Sequence, residues 1–421
     1  VNSFATSPGT RDILAPDAAR WRAFQEVFAQ VVADHGYRYM IPPMFEEVGV
    51  FHRLGEATEV VTKEMYDFED KGGRHIALRP EQTASVCRAF VQHRPTTPWK
   101  VWYAGPNFRY EKPQQGRYRQ FDQVGIEALG VADPLADAEV IAIASRFYER
   151  LGLRRVSLAV NTLGTFAERQ AWTTALRAHF EDRAGELSVD SRATLAKNAL
   201  RVLDSKREQD APLIASAPRI EAFLGTDSRQ HFDMVRSALD RLGIAYSVED
   251  RLVRGLDYYC HTTFEFVGDA LEAAHTAIGG GGRYDGLVEQ LGGPPTPGVG
   301  FALGLDRTLL ACDAEGCFPA PDEAVNVFVV DTTGGMEAFA LCGELRGAAI
   351  SAEHAYESRS MKAQMKAADR SGASLAAIIG TDELAAGTIL IRSMTTGEQH
   401  SVGRSDAVVR IRELLSRKGT A

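Results

Sequence analysis

The chain has 421 residues, room for two or three domains at roughly 150 residues each. Its 45% apolar and 24% charged content belongs to a folded globular protein and excludes disordered or collagen-like chains. With 47 basic and 56 acidic residues the net charge is −9, which argues against broad, non-specific binding to nucleic acid or anionic membrane but leaves room for a local basic patch.

The first helix is expected over 17–36, where Trp21, Phe24, Val27, Phe28, Val31 and Val32 recur at three- and four-residue steps and Gly36 suits the stop. A strand at 37–41 runs into Pro42 and Pro43. Strands at 101–104 and 121–129 follow, joined by a polar, basic, hairpin-like connection, then a helix at 135–151 and a strand at 156–160. From about Thr165 to Leu242 the text is helical and highly charged, without a convincing strand. Strand-like text resumes at Tyr246 and is clearest at 262–267 (TTFEFV). This pattern reads as one α+β domain divided by a helical insertion, in the order 1–164, insertion 165–242, then 243–317.

A Gly/Pro-rich stretch occupies 279–300, and a helix begins near Leu303. A boundary falls at 317–322 (CFPAPD). Beyond it come a strand at 325–330, helices at 335–347 and 360–372, a strand at 374–379 and an amphipathic helix at 406–415. Such alternation predicts a small α/β domain over 322–421.

Five cysteines (Cys87, Cys260, Cys312, Cys317 and Cys342) are scattered, with no CxxC pair, so neither a zinc site nor a disulfide framework is expected. Residues 1–20 are polar, without a basic start leading into an apolar run, and no window is long and apolar enough to span a bilayer. A cytoplasmic location and no membrane partner are expected.

Several catalytic signatures are missing. There is no Gly-Lys pair and hence no P-loop; the run at 279–282 lacks GxGxxG spacing, and HExxH and GxSxG do not occur. What stands out is arginine beside acidic and aromatic residues. The segment 100–119 (KVWYAGPNFRYEKPQQGRYR) holds five basic residues and one acidic, a net of +4 in an acidic chain. A strand ending in Phe108-Arg109-Tyr110-Glu111 places Arg109 and Glu111 on one face. Arginine offers planar paired donors to phosphate, and a carboxylate accepts from an amine; the plainer alternative is a solvated hairpin with an Arg–Glu pair. Leu78-Arg79-Pro80-Glu81-Gln82-Thr83 follows a plausible strand and precedes a helix, so Glu81 and Thr83 are either ligands or ordinary residues of a helix start. Arg254-Gly255-Leu256-Asp257-Tyr258-Tyr259 is either a binding loop or a tight turn with packed aromatics. Arg307 opens a helix after a Gly-rich strand and is either part of a site or an ordinary surface arginine.

Taken together and in this order, these segments resemble the histidyl-tRNA synthetases, a family of class II aminoacyl-tRNA synthetases, over nearly the whole chain. Motif 1 is similar to 37–46 (YRYMIPPMFE), motif 2 to 107–127 (NFRYEKPQQGRYRQFDQVGIE) and motif 3 to 298–307 (GVGFALGLDR). Two further segments resemble signatures of the histidyl enzymes, LVRGLDYY at 252–259 and GGGRYDGL at 280–287. One departure is Gln82, where the family often has Gly.

The resemblance implies a role for each residue. Arg109 would clamp the ATP α-phosphate, Glu111 read the adenine amino group, Phe121 stack on the ring, Arg117 meet the γ-phosphate and Arg307 cover the nucleotide. Glu81, Thr83 and Gln123, with Gln82 beside them, would hold the α-amino end of histidine. Glu127 and Tyr259 would bracket the imidazole, Tyr258 complete the wall, and Arg254 act with Arg109 as the catalytic pair where the mixed anhydride forms. Gln114 and Arg119 would touch the tRNA acceptor end.

The implied reaction joins L-histidine to tRNA(His) through histidyl-adenylate, with ATP as substrate and Mg²⁺, in a homodimer formed through motif 1. It needs no protein nucleophile, and no editing domain is expected. The domain from 322 resembles an anticodon-binding domain. Lys362, Lys366 and Arg370, at four-residue steps, form either an RNA-facing stripe or a solvated helix face.

Three rivals stand beside this reading. The first is the histidine-binding regulatory paralogue of ATP phosphoribosyltransferase, whose members tend to lose motif arginines and the last domain. The others are a glycyl or prolyl class II enzyme and a plain nucleotide-binding scaffold.

Overall fold

A computed structural model describes residues 4–53, 60–253, 256–271, 276–357 and 359–418. Two units divide the chain, Val1–Ala320 and Pro321–Ala421. Among the described residues no helix is long and apolar enough to cross a membrane.

In chain order the first unit contains α1 (Asp17–Asp34), β1 (Arg38–Tyr39), β2 (Phe45–Glu47), α2 (Val48–His52), β3 (Tyr66–Glu69), β4 (His75–Leu78), α3 (Thr83–His93), β5 (Trp99–Phe108), β6 (Gln120–Leu129), α4 (Pro134–Arg150) and β7 (Val156–Thr162). There follow α5 (Phe166–Glu181), α6 (Val189–Lys197), α7 (Ala211–Ala215), α8 (Thr226–Arg241), β8 (Ser247–Val248), β9 (Cys260–Gly268), β10 (Ala277–Arg283), α9 (Leu287–Gln290), β11 (Gly298–Gly304) and α10 (Leu305–Glu315). Eight strands form one sheet in the order β1-β5-β6-β11-β10-β9-β7-β8, and β2-β4-β3 form a small second sheet. The large sheet is antiparallel inside and carries a parallel pair at each edge, β1 on β5 and β8 on β7. With its helices it is the expected α+β architecture.

Strand alternation splits β6 between two layers. Val124 and Ile126 point into a core with Phe24 and Phe28 of α1, Phe147 of α4, and Phe264 and Phe301. The other face of the sheet meets α3, the tyrosines at 103, 258, 259 and 284, and the helical stretch that starts at α5. Glu127 lies on this second face because it is one residue out of phase with Ile126.

The helical stretch is not uniform. Trp172, Leu176 and Phe180 of α5 pack with Leu195, Leu200, Leu213 and Ile220. Phe232, Val235 and Leu239 of α8 instead join the core beneath the sheet. Asp210 organises the first group from inside. Its carboxylate accepts from the Ser188 amide (2.7 Å) and from the hydroxyls of Ser188, Ser191 and Ser205 (2.9, 2.5 and 2.6 Å).

The Gly-rich run differs from its sequence reading. It forms β10, a central strand. Glycine is poor in strands by propensity, but here space decides. A Cβ at Gly281 would come within 2.0 Å of the Gly300 carbonyl oxygen, and one at Gly282 within 2.5 Å of the Thr262 carbonyl oxygen.

The second unit contains β12 (Val327–Asp331), α11 (Met336–Gly347), β13 (Ala352–His354), α12 (Met361–Arg370), β14 (Leu375–Ile379), α13 (Thr381–Ala386), β15 (Thr388–Ser393), β16 (Gln399–Gly403) and α14 (Ala407–Lys418). Its sheet runs β13-β12-β14-β15-β16, parallel at first and antiparallel at the end. Sequence reading found β12, α11, α12, β14 and α14 but missed the short β13 and the β15–β16 hairpin. On α12, Lys362, Lys366 and Arg370 are exposed, opposite buried Gln364 and Ala368.

Candidate active site

Two adjoining hollows lie in the first unit. The inner one, about 180 Å³, is lined by Glu81, Gln82, Thr83, Gln123, Glu127, Tyr258 and Tyr259, all sequence candidates, and by Tyr103, Tyr284 and Gly300, which sequence reading missed. The outer one is lined by Glu111, Arg117, Phe121 and Arg307. Arg109 lines both.

Glu127 is 1% exposed and borders the inner hollow. Its Oε1 accepts from Thr83 Oγ1 (2.7 Å) and Tyr103 OH (3.1 Å), and its Oε2 accepts from Tyr284 OH. Burial pushes its pKa up to about 8, while the hydroxyl donors pull the other way. Room for the carboxylate exists because residue 300, paired with Glu127 across β6 and β11, has no side chain. A Cβ there would fall 1.8 Å from Oε2.

Glu81 has the helix-start role of its plainer sequence reading and also borders the hollow. Its carboxylate accepts from the Thr83 and Ala84 amides (2.7 and 2.9 Å) at the start of α3. Burial raises its pKa against those hydrogen bonds. Gln82 is buried; its Nε2 is 3.4 Å from the Gly105 carbonyl oxygen and its Oε1 has no hydrogen-bond partner among the described residues. Gln123 accepts from Asn107 Nδ2 at 2.7 Å. Tyr258 packs against Tyr259 and Tyr284, with ring centroids 4.6 and 5.7 Å away. Behind this wall Arg169 of α5 donates from Nη1 to the Asp257 and Tyr259 carbonyls (2.6 and 2.8 Å). Arg254 and Gly255 lie outside the described residues.

The connection between β5 and β6 departs from the strand reading. β5 stops at Phe108, although the Arg109 amide still donates to the Arg119 carbonyl (2.8 Å). A tight turn, in which the Glu111 amide donates to the Arg109 carbonyl (2.8 Å), brings the two side chains to one hollow where strand alternation was expected to do so. Arg109 donates to the Pro80 carbonyl (2.9 Å), and its guanidinium carbon lies 5.2 Å from the Phe121 ring centre.

Arg117 pairs with Glu111 at 2.7 Å. Arg307, in the first turn of α10, donates to the Gly116 and Ala277 carbonyls (3.1 and 3.2 Å). Burial lowers its pKa and neighbouring Arg117 adds to the shift, so an anion placed here gains three guanidinium groups that repel one another without it. Gln114 and Arg117 bridge at the tip of the loop. Arg119 donates to the Glu111 carbonyl (3.2 Å) and lies over Tyr110, 3.9 Å from the ring centre.

The outer hollow therefore suits a polyanion with an aromatic group, and the inner one a small cation or N–H donor. Arg109 sits where the two ligands would meet. On an antiparallel sheet this arrangement defines a class II aminoacyl-tRNA synthetase. The family described as histidyl-tRNA synthetase matches residues 9–308, and that described as anticodon binding domain matches residues 325–414. Histidine–tRNA ligase of Anoxybacillus flavithermus is 45% identical over 421 residues, covering 98% of this chain and all of that one. The Geobacillus sp. enzyme of the same name is 45% identical over 422 residues with the same coverage. The crystal structure of apo S. aureus histidyl-tRNA synthetase superposes with a TM-score of 0.82 at 37% identity, covering 97% of this chain and all of that one. The chain belongs to the histidyl-tRNA synthetase family.

Proposed function

We propose that this chain activates L-histidine with ATP to histidyl-adenylate and transfers the histidyl group to tRNA(His). The observation that carries this reading is the buried Glu127 carboxyl, ringed by hydroxyls in a small hollow that shares Arg109 with an arginine-lined one.

Glu127 accepts an imidazole N–H and Tyr259 meets the second ring nitrogen. Glu81, Gln82, Thr83 and Gln123 surround the α-amino end, and Tyr258 closes the wall. Phe121 stacks on adenine with Glu111 beside its amino group, while Arg117 and Arg307 face the outer phosphates. Arg109, at the junction, meets the α-phosphate and, with Arg254, neutralises the charge that grows there as the carboxylate attacks. Orientation and charge stabilisation suffice for this chemistry. Mg²⁺ enters as part of the nucleotide substrate, on the ATP phosphates.

The loop around Gln114 and Arg119 and the insertion at 165–242 face the acceptor end of the tRNA, and the unit from 322, with Lys362, Lys366 and Arg370, takes its anticodon. A tRNA-charging role suits the cytoplasm. Exposed Tyr39, Ile41, Met44 and Phe45, clustered in motif 1, support a homodimer.

Amino-acid-dependent ATP–pyrophosphate exchange with all twenty amino acids tests the reading. Strong exchange with histidine alone is expected. Histidine binding without exchange would move the chain to the regulatory paralogue. A concentration-independent monomer in sedimentation would remove the dimer.

A further inference from the structure

We propose that Tyr284 is a positioning residue for histidine recognition, keeping the Glu127 carboxyl aimed into the inner hollow and easing its ionisation there, with Tyr103 and Thr83 as its partners on the other oxygen. This rests on the histidine reading of the hollow and goes beyond it, because it assigns the state of the acceptor to residues that need not touch the ligand themselves.

The geometry carries it. Glu127 is buried where a bare carboxylate is costly. Three hydroxyls from three separate places converge on it: Thr83 at the start of α3, Tyr103 in β5 and Tyr284 just past β10. A hydroxyl donating to a carboxylate stabilises the anion. Oε1 takes two of these donors and Oε2 one. Oε2 thus keeps a lone pair for an incoming N–H. Tyr284 is 1% exposed and packs edge-on to Tyr258, so its hydroxyl is held in place without the ligand.

The other titratable groups around Glu127 do not supply this stabilisation. Glu81, at the start of α3, raises its pKa further. Cys87 on α3, Tyr37 beyond α1, and Tyr258 have thiol or phenol groups pushed up by burial, with Glu127 adding to the effect, and so remain neutral. Tyr259 and Arg109 line the same hollow from the ligand side.

Tyr284→Phe removes one donor and little volume. The measurement is ATP–pyrophosphate exchange from pH 6 to 9.5 on the full chain, with histidine and ATP varied separately. The KM for histidine should rise about ten- to a hundredfold near neutral pH, as for one hydrogen bond to a charged group. The ATP KM and the maximal rate should stay within about threefold. The acid limb of kcat/KM for histidine should also move upward by about one pH unit. The ligand's own titrations are common to both proteins and cancel in the comparison.

A merely structural role would lower activity without moving that limb, so an unshifted limb, or an unchanged histidine KM, overturns the proposal. Tyr103→Phe is the second variant, independent of the fate of the first, and should shift the limb in the same direction. If wild-type protein showed no histidine-dependent exchange, the reading of the hollow would fail, whereas an unshifted Tyr284→Phe limb beside normal wild-type exchange would fail this inference alone.

Discussion

Gly300→Ala isolates the dependence of histidine recognition on one missing side chain. The added methyl would lie 1.8 Å from Glu127 Oε2, 2.7 Å from its Cδ and 2.3 Å from the Ile126 carbonyl oxygen. The strand pairing fixes the carbonyl, so the carboxylate must leave. On the proposed reading of the hollow, the substrate imidazole then loses a hydrogen bond to a charged group, about 1.5–3 kcal/mol, which is a rise of about ten- to 150-fold in the histidine KM. Crowding a filled interior adds a folding cost of about 1–3 kcal/mol. Gly300 borders the inner hollow and not the outer one, so the ATP KM should remain within about threefold. Exchange kinetics with each substrate varied in turn, beside a thermal melt, decide it. A histidine KM near that of wild type, or histidine and ATP KM values rising together, would falsify the argument.

Three further expectations concern stability. Arg283, 1% exposed, donates to fully buried Asp137 from Nε at 3.0 Å and approaches it with Nη2 at 2.8 Å. Arg283→Met takes the buried cation from that carboxylate, leaving it Thr262 Oγ1 (2.9 Å) and His231 Nε2 (2.5 Å), and should cost about 3–5 kcal/mol in denaturant unfolding; a loss under about 1 kcal/mol would contradict this. Glu127 titrates near 8 when folded against an ordinary 4.5. The folded chain thus holds a proton that the unfolded one releases between those values, and rising pH withdraws about 1.4 kcal/mol per unit from this group. Glu127→Gln should flatten the fall in melting temperature from pH 5 to 8, and parallel curves would refute it. Gly343 is exposed inside α11, and a methyl added there would meet open space. It should accept Ala with a gain of about 0.5–1 kcal/mol and unchanged exchange. A lowered melting temperature would count against it.

Most of the larger elements were legible because their signals are local. The periodic apolar residues of α1, the basic hairpin around Arg117 and the alternating elements after residue 322 all announce themselves within a dozen residues. The floor of the inner hollow was not, since Glu127 and Tyr284 meet across 157 positions of sequence. Tyr103 and Gly300 likewise face Glu127 only once β5, β6 and β11 are paired. The glycines of β10 hid a strand because composition records propensity and not the crowding that forbids a Cβ. One signal was available and passed over: Phe232, Val235 and Leu239 in the charged text of α8 have the spacing of a buried stripe, and they do pack under the sheet.

Arg169 bears on how far this chain can be shortened. Its one planar group grips the Asp257 and Tyr259 carbonyls on either side of Tyr258, and Asn198 approaches the Asp257 side chain at 3.3 Å. The helical segment is therefore a splint for the aromatic wall as well as an added surface. A version trimmed between β7 and β8 would lose the splint along with the helices. Tyr258 and Tyr259 would then keep their packing on Tyr284 and β9 but lose the grip on their backbone, and any minimal catalytic unit cut from this sequence must bring its own cross-brace to that place.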